Sequence, residues 1–235
     1  MIRVGADGGP SPPPDAGPMK TNNALATLAG LAGAGLAVRR VLRPRVLNWG
    51  ASTEEARGHL PGDELLAAAD VVSTRAITIR APASAVWPWL VQMGPGDRGG
   101  AYTYDWIENL LGLDMHSTDR ILPRYQHAEV GDVIPDRRGV PWMRYERVEP
   151  ERVLASRSAD GRWVWTFVLV EEGGWTRLLS RNRIRAGGSL GGRFALELMV
   201  PGSLVMERKM LRGIRQRAER LAAQEAEEAA AAEAV

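Results

Sequence analysis

The sequence contains no cysteine. That excludes a disulfide framework, a thiolate nucleophile, an iron–sulfur cluster and cysteine-ligated zinc. It has only 3 histidines, His59, His116 and His127. They lie in separate segments with no two at ligand spacing, so no metal site and no cofactor are expected. Charge of one sign is also lacking: 30 basic against 28 acidic residues leave a formal +2, too little to point to nucleic acid. The Gly-rich run GPGDRGG at 94–100 has no Gly-Lys-Ser/Thr ending and joins two expected helices, so it does not read as a nucleotide loop. The uncharged run from Ala24 to Val38, with only Thr27 polar, holds 15 residues, mostly Ala and Gly, whereas a bilayer span needs about 17–25.

What is present suits a globular domain: 235 residues, 45% hydrophobic and 25% charged. Residues 1–23 read as a disordered leader, because the first 18 hold 5 Pro and 4 Gly with few large apolar groups, too little to offset chain entropy. Met19 followed by Lys20 raises the alternative that translation starts there. Residues 24–45 are apolar and then Arg-rich, ending in Arg39, Arg40, Arg43 and Arg45. They read either as a helix lying on the domain or as an uncleaved membrane anchor that leaves the folded body in the cytoplasm, tethered to the inner membrane. The body is expected over 46–221, and 222–235 as an Ala/Glu tail that extends the last helix or frays.

Within the body, 48–66 is a lead-in in which Ser52 or Thr53 with the following glutamates makes a helix N-cap. A strand is expected at 71–80, a helix opened by Pro82 that carries Trp87 and Trp89, and a second helix from Tyr102 to Leu111. Strands follow at 131–135, 142–149, 152–158, 162–171 and 176–186, joined by turn-forming links that imply antiparallel hairpins. A long helix starting just after Pro201 carries Met206, Met210, Ile214, Ala218 and Leu221 as its apolar stripe. This order predicts an α+β fold, a curved antiparallel sheet of about six strands wrapped around one long helix.

The order, together with ITIRAPASAVWPWLVQMG, GAYTYDWIENLLGLDMHSTDRI, VGDVIP, WVWTFVL and TRLLSRNR, resembles the START-like superfamily. That group includes the birch pollen allergen and the polyketide cyclase/dehydrase proteins, and the bacterial SRPBCC branch is the most similar. The resemblance covers about residues 47–220 and is most specific over 77–121. It implies a helix-grip fold with a hydrophobic cavity between the sheet and the final helix. It implies no single activity, since members bind lipids, hormones and polyketides and only some catalyse, so function has to come from the site.

The candidate ligand-binding residues are Trp87, Tyr102, Tyr104, Trp163, Trp165, Phe167, Met206 and Met210. Trp163, Trp165, Phe167 and Leu169 alternate onto one strand face, where Met206 and Met210 would meet them. Aromatic and thioether surfaces suit adaptable apolar binding, and the alternative is that they fill the core. The cavity reading requires a void of about 300 Å³ or more. His116, near Asp114 and Asp119, is the candidate general acid or base, or else a loop tie. Asp105 and Glu108 share a helix face and read mainly as plain surface. Arg177, Arg181, Arg183 and Arg185 share a strand face, read as a solvated convex surface that could otherwise steer an anionic ligand or touch acidic lipid. The leading expectation is a carrier of a small hydrophobic or amphipathic molecule. The alternatives are a cyclase-like enzyme in which His116 with a Tyr or Asp moves protons, and an interaction module whose basic helix meets a membrane surface or an acidic partner.

Overall fold

The computed structural model describes residues 37–188 and 190–233, with Thr27, Gly30, Gly33 and Gly35. Two units contain them, 1–43 and 44–235. The expected leader over 1–23 lies outside the described residues, and so does most of the 24–38 run. Among the described residues no helix is long and apolar enough to cross a membrane. In the first unit Val38–Leu42 is helical.

Helix α1 (Arg43–Leu47) leads into α2 (Thr53–Arg57), which is closed at its start by a complete capping box: Ser52 Oγ accepts from Glu55 N–H and the Glu55 carboxylate accepts from Ser52 N–H. Two unsatisfied helix-end donors are met this way. Strand β1 (Val71–Ile79) follows, then α3 (Ala83–Val91) with Pro88 inside it, and α4 (Asp105–Leu110). The hairpin strands are β2 (Val133–Pro135), β3 (Pro141–Glu149), β4 (Val153–Ser158), β5 (Trp163–Glu172) and β6 (Trp175–Ile184). They form one antiparallel sheet in the order β1-β6-β5-β4-β3-β2, so the first strand pairs with the last. A register shift between Tyr145 and Arg147 on β3 bends the sheet, as an extra residue in one strand does. Helix α5 (Leu190–Glu233) lies on the concave side. This is the helix-grip arrangement that the resemblance implies.

Strand alternation sorts the side chains. Ile77, Ile79, Phe167, Leu169 and Leu178 turn to the concave side, where they pack with Trp87, Trp89 and Leu90 of α3 and Met210, Leu211, Ile214 and Ala218 of α5. Each such side chain contributes about 1.5–3 kcal/mol on burial. Helix α5 comes so close to the Tyr102 backbone that a Cβ on Gly213 would stand 2.7 Å from the Tyr102 carbonyl oxygen. Only glycine fits there.

Two expectations about α5 change. It begins at Leu190, 11 residues before Pro201, because Leu196 and Val200 pack on Leu47 and Val71; that packing supports the turns ahead of a proline that would otherwise break the helix. Its buried stripe runs through Glu207, Leu211, Ile214 and Ala218, leaving Met206 only half-buried. Beyond Ala222 the helix continues exposed to Glu233.

The arginine row is covered along most of its length, with Arg181 buried, Arg177 and Arg183 half-buried and Arg185 exposed. The lead-in 48–68 lies across it, and the carbonyl groups of that segment supply the acceptors. Arg181 is almost wholly buried: it donates to Thr74 Oγ1 (3.0 Å), to Asp63 Oδ2 (2.6 Å) and to the Gly58, Glu55 and Ala56 carbonyls. Arg177 grips both Glu55 oxygens at 2.8 Å, which holds that carboxyl below its ordinary range. Arg183 donates to the Leu66 and Ala67 carbonyls and Arg185 to that of Ala68. Guanidinium groups have enough donors in a fixed fork to hold a coil segment to a sheet face.

Candidate functional site

Helix α5 covers only the β1/β6 side of the concave face. Over β2–β5 the cover is the end of α3, the Gly-rich loop after it and Met115, and here lies an apolar pocket. Its walls are Leu90, Met93, Gly94, Ala101, Met115, Ile134, Trp142, Met143, Tyr145, Leu154, Ser156, Trp165 and Phe167. The polar groups of this wall already have partners. Tyr145 Oη donates to the Val91 carbonyl at 3.0 Å, Ser156 Oγ to the Trp165 carbonyl at 3.3 Å, and Trp165 Nε1 to Ser180 Oγ at 2.9 Å. Burial pushes the Tyr145 hydroxyl pKa up.

The pocket measures about 40 Å³, room for a few waters at about 10–15 Å³ each. The void of 300 Å³ required by the cavity reading is therefore not preformed. Aromatic rings occupy the space: Trp163 stacks on Trp165 with centroids 5.5 Å apart, Trp165 tilts on Phe167 at 4.9 Å, and Trp142 meets Trp163 edge-on at 6.1 Å. Outside it is a surface depression of about 280 Å³ lined by Pro95, Leu111, Gly112, Leu113, Asp136, Arg137 and Arg138. Met115 and Trp142 belong to the walls of both. Two movable side chains therefore stand between the depression and the interior.

Of the candidate binding residues, Trp165 and Phe167 line the pocket and Trp163 backs it. Trp87 and Met210 are core residues. Tyr102 is buried against α5, its hydroxyl donating to the Trp89 carbonyl at 2.9 Å and Arg217 lying over its ring. Tyr104 is exposed under the Lys209 ammonium, 5.8 Å away. No residue of α5 lines the pocket, so the expected meeting of Met206 and Met210 with the aromatic face does not form its wall. His116 points outward, 63% exposed, with Nε2 3.0 Å from Asp114 Oδ1. It ties the loop and reaches neither pocket nor depression.

Helix α4 is built with its polarity reversed. Asp105 accepts from Ser117 N–H (2.7 Å) and Ser117 Oγ (2.6 Å), and Asn109 pairs with both backbone groups of Met115. Glu108 is buried rather than surface, and its Oε2 has no hydrogen-bond partner. Trp106, Leu110 and Leu111 turn outward at 70%, 80% and 72% exposure. Desolvation raises the Glu108 pKa above its ordinary 4.5, with the nearby Asp105 charge adding to the effect. A carboxyl raised by folding favours the folded state fully below pH 4.5 and loses that contribution as pH rises through the folded value. Glu108→Gln should accordingly be more stable than the parent at neutral pH. Thermal melts of both proteins across acid to neutral pH check this, the gap closing below pH 4.5.

A polar cluster with no motif to announce it sits at the other side of the groove. Glu207 of α5 pairs with Arg75 of β1, both buried. Ser180 Oγ donates to Glu207 Oε1 at 2.6 Å and Asn182 Nδ2 donates to both its oxygens at 3.2 and 3.3 Å. Trp163 Nε1 donates to Asn182 Oδ1 at 2.8 Å, and Arg75 also reaches Ser203 Oγ at 2.9 Å. Burial pushes Glu207 upward, and Arg75, Ser180 and Asn182 hold it back. The signal was in the alternation: Ser73 and Arg75 on β1 lie opposite Asn182 and Ser180 on β6, all on the inward face.

No protein-family profile matches the sequence, and no curated protein matches it. Several solved structures are similar. A protein of Mesorhizobium loti aligns at 19% identity over 64% of this chain and 98% of its own, with TM-score 0.38. A polyketide-cyclase-like protein of Corynebacterium glutamicum aligns at 18% over 64% and 88%, TM-score 0.33. The KanY protein aligns at 12% over 63% and 97%, TM-score 0.42. Among the described residues no group of three or more metal-ligating side chains converges.

Proposed function

We propose that residues 44–235 bind a small hydrophobic or amphipathic molecule. Its apolar body displaces the side chains of Met115 and Trp142, and its other end remains in the surface depression. The observation that carries this reading is the shared wall: Met115 and Trp142 separate an apolar interior pocket from an open depression of about 280 Å³. Methionine has three rotatable bonds and a polarizable sulfur, so it adapts to a guest at low cost. The inner wall offers apolar contact and no convergent proton-transfer groups, which favours binding over chemistry.

The test is titration with the neutral fluorophore N-phenylnaphthylamine, with native mass spectrometry of the purified chain beside it. Trp142→Ala removes the partition and should bind the dye about tenfold more tightly than the parent, since it enlarges a dry apolar space. Saturable dye binding that sharpens in this variant supports the reading. Absence of dye and of any retained small molecule in both proteins would refute it.

A further inference from the structure

The reversed helix α4 poses a question of its own. Trp106, Leu110 and Leu111 project to solvent within less than two turns, although the polar residues of the same helix are turned into the protein. Contiguous exposed apolar side chains mark interaction surfaces. Leu111 and Leu113 also form the wall of the depression, facing Arg137 and Arg138 on the β2–β3 turn, and Val140 stands exposed on that turn. The carboxylates of the region are held by hydrogen bonds or buried, and Asp136 lies beside the two arginines on the wall of the depression. Asp136 Oδ1 accepts from Arg138 and Val140 N–H, Asp105 holds Ser117, Asp114 pairs with His116, and Glu108 is buried. The surface thus presents tryptophan and leucine tips beside cations. That combination suits the interface of an anionic bilayer, where indoles settle at headgroup depth and basic side chains meet lipid phosphate.

We infer that Trp106, Leu110 and Leu111, with Arg137 and Arg138, dock onto a bilayer that carries anionic lipid and set the mouth of the depression against the membrane. The orientation of the mouth rests on the binding reading above; the docking surface does not. A protein partner or second copy fits less well, since stable protein interfaces bury about 1,200–2,000 Å² and a six-residue helix beside a hairpin turn supplies little of that.

The test is co-sedimentation of the full chain with vesicles of phosphatidylcholine alone or mixed with phosphatidylglycerol, at low and high salt. The parent should sediment with the mixed vesicles, less so at high salt. The double variant Trp106→Ser/Leu110→Ser should partition about tenfold more weakly. Neither residue lines the pocket or the depression, so its dye binding should equal the parent's, which also shows that it is folded. A parent that stays in the supernatant with both vesicles overturns the inference. So does a variant that sediments like the parent, because the contact would then lie elsewhere, such as in the 24–38 run. So does a parent dimer that the variant converts to monomer. Loss of sedimentation in the variant, with no dye bound by either protein, would support the docking surface and overturn the pocket alone.

Discussion

Arg75→Met is expected to lower the unfolding free energy by about 3–5 kcal/mol, because it strands a carboxylate among buried groups. Glu207 would keep only the neutral donors of Ser180 and Asn182. Since burial already raises the Glu207 pKa above 4.5, removing the cation should raise it further. The variant would then be least impaired below pH 4.5, where Glu207 can hold a proton in the folded and unfolded chain alike, and would lose stability as pH rises through the folded value. The double variant Arg75→Met/Glu207→Leu should recover most of the loss, since an apolar pair of similar volume often replaces a buried ion pair at little cost. Urea denaturation of the three proteins at two pH values measures all of this. A single variant within about 1 kcal/mol of the parent would mean that the pair is hydrated or dispensable.

The second large effect is expected on the convex side. Arg181 serves five acceptors, four of them in the segment from Glu55 to Asp63. Arg181→Ala leaves Asp63 without its closest cation and several carbonyls without donors, and about 3–5 kcal/mol should be lost. The loss should begin locally, because the lead-in is held to the sheet mainly by these charged hydrogen bonds and by a small apolar contact of Ala51 and Leu60 with Ala76, Val168 and Leu179. Limited proteolysis should cut the variant within 50–68 while the sheet stays intact. Simultaneous loss of all protection would instead show that lead-in and sheet unfold as one.

The sheet was legible in the sequence because alternation and turn chemistry are local signals. The turn links and the run from Trp163 to Val170 define hairpins without reference to anything distant. The arginine row was legible as a row but not as a clamp. Its acceptors are main-chain carbonyl groups, which every sequence has and none advertises. The helix stripe passes through Glu207 where the apolar pattern points to Met206, because a glutamate on an apolar stripe looks like surface until Arg75 is placed opposite it. Trp165 and Phe167 were identifiable as a face, yet the volume they leave is set by ring packing and by Met115 and Trp142, which lie far away along the chain. The burial of Glu108 was hidden for a related reason. In a short helix the core-facing side follows the loops that hold it, here Ser117 and Met115, rather than the pattern of apolar residues.

The Arg75–Glu207 pair lies against β1 and β6 and the pocket against β2 to β5, and the two are joined through the hydrogen bonds of Trp165 to Ser180 and of Trp163 to Asn182. The close approach of Gly213 to the Tyr102 backbone and the buried ion pair together define one seat for the rod. With the rod so pinned, substitutions at Leu154, Ser156 or Met143 are expected to change the volume of the pocket without shifting the long helix.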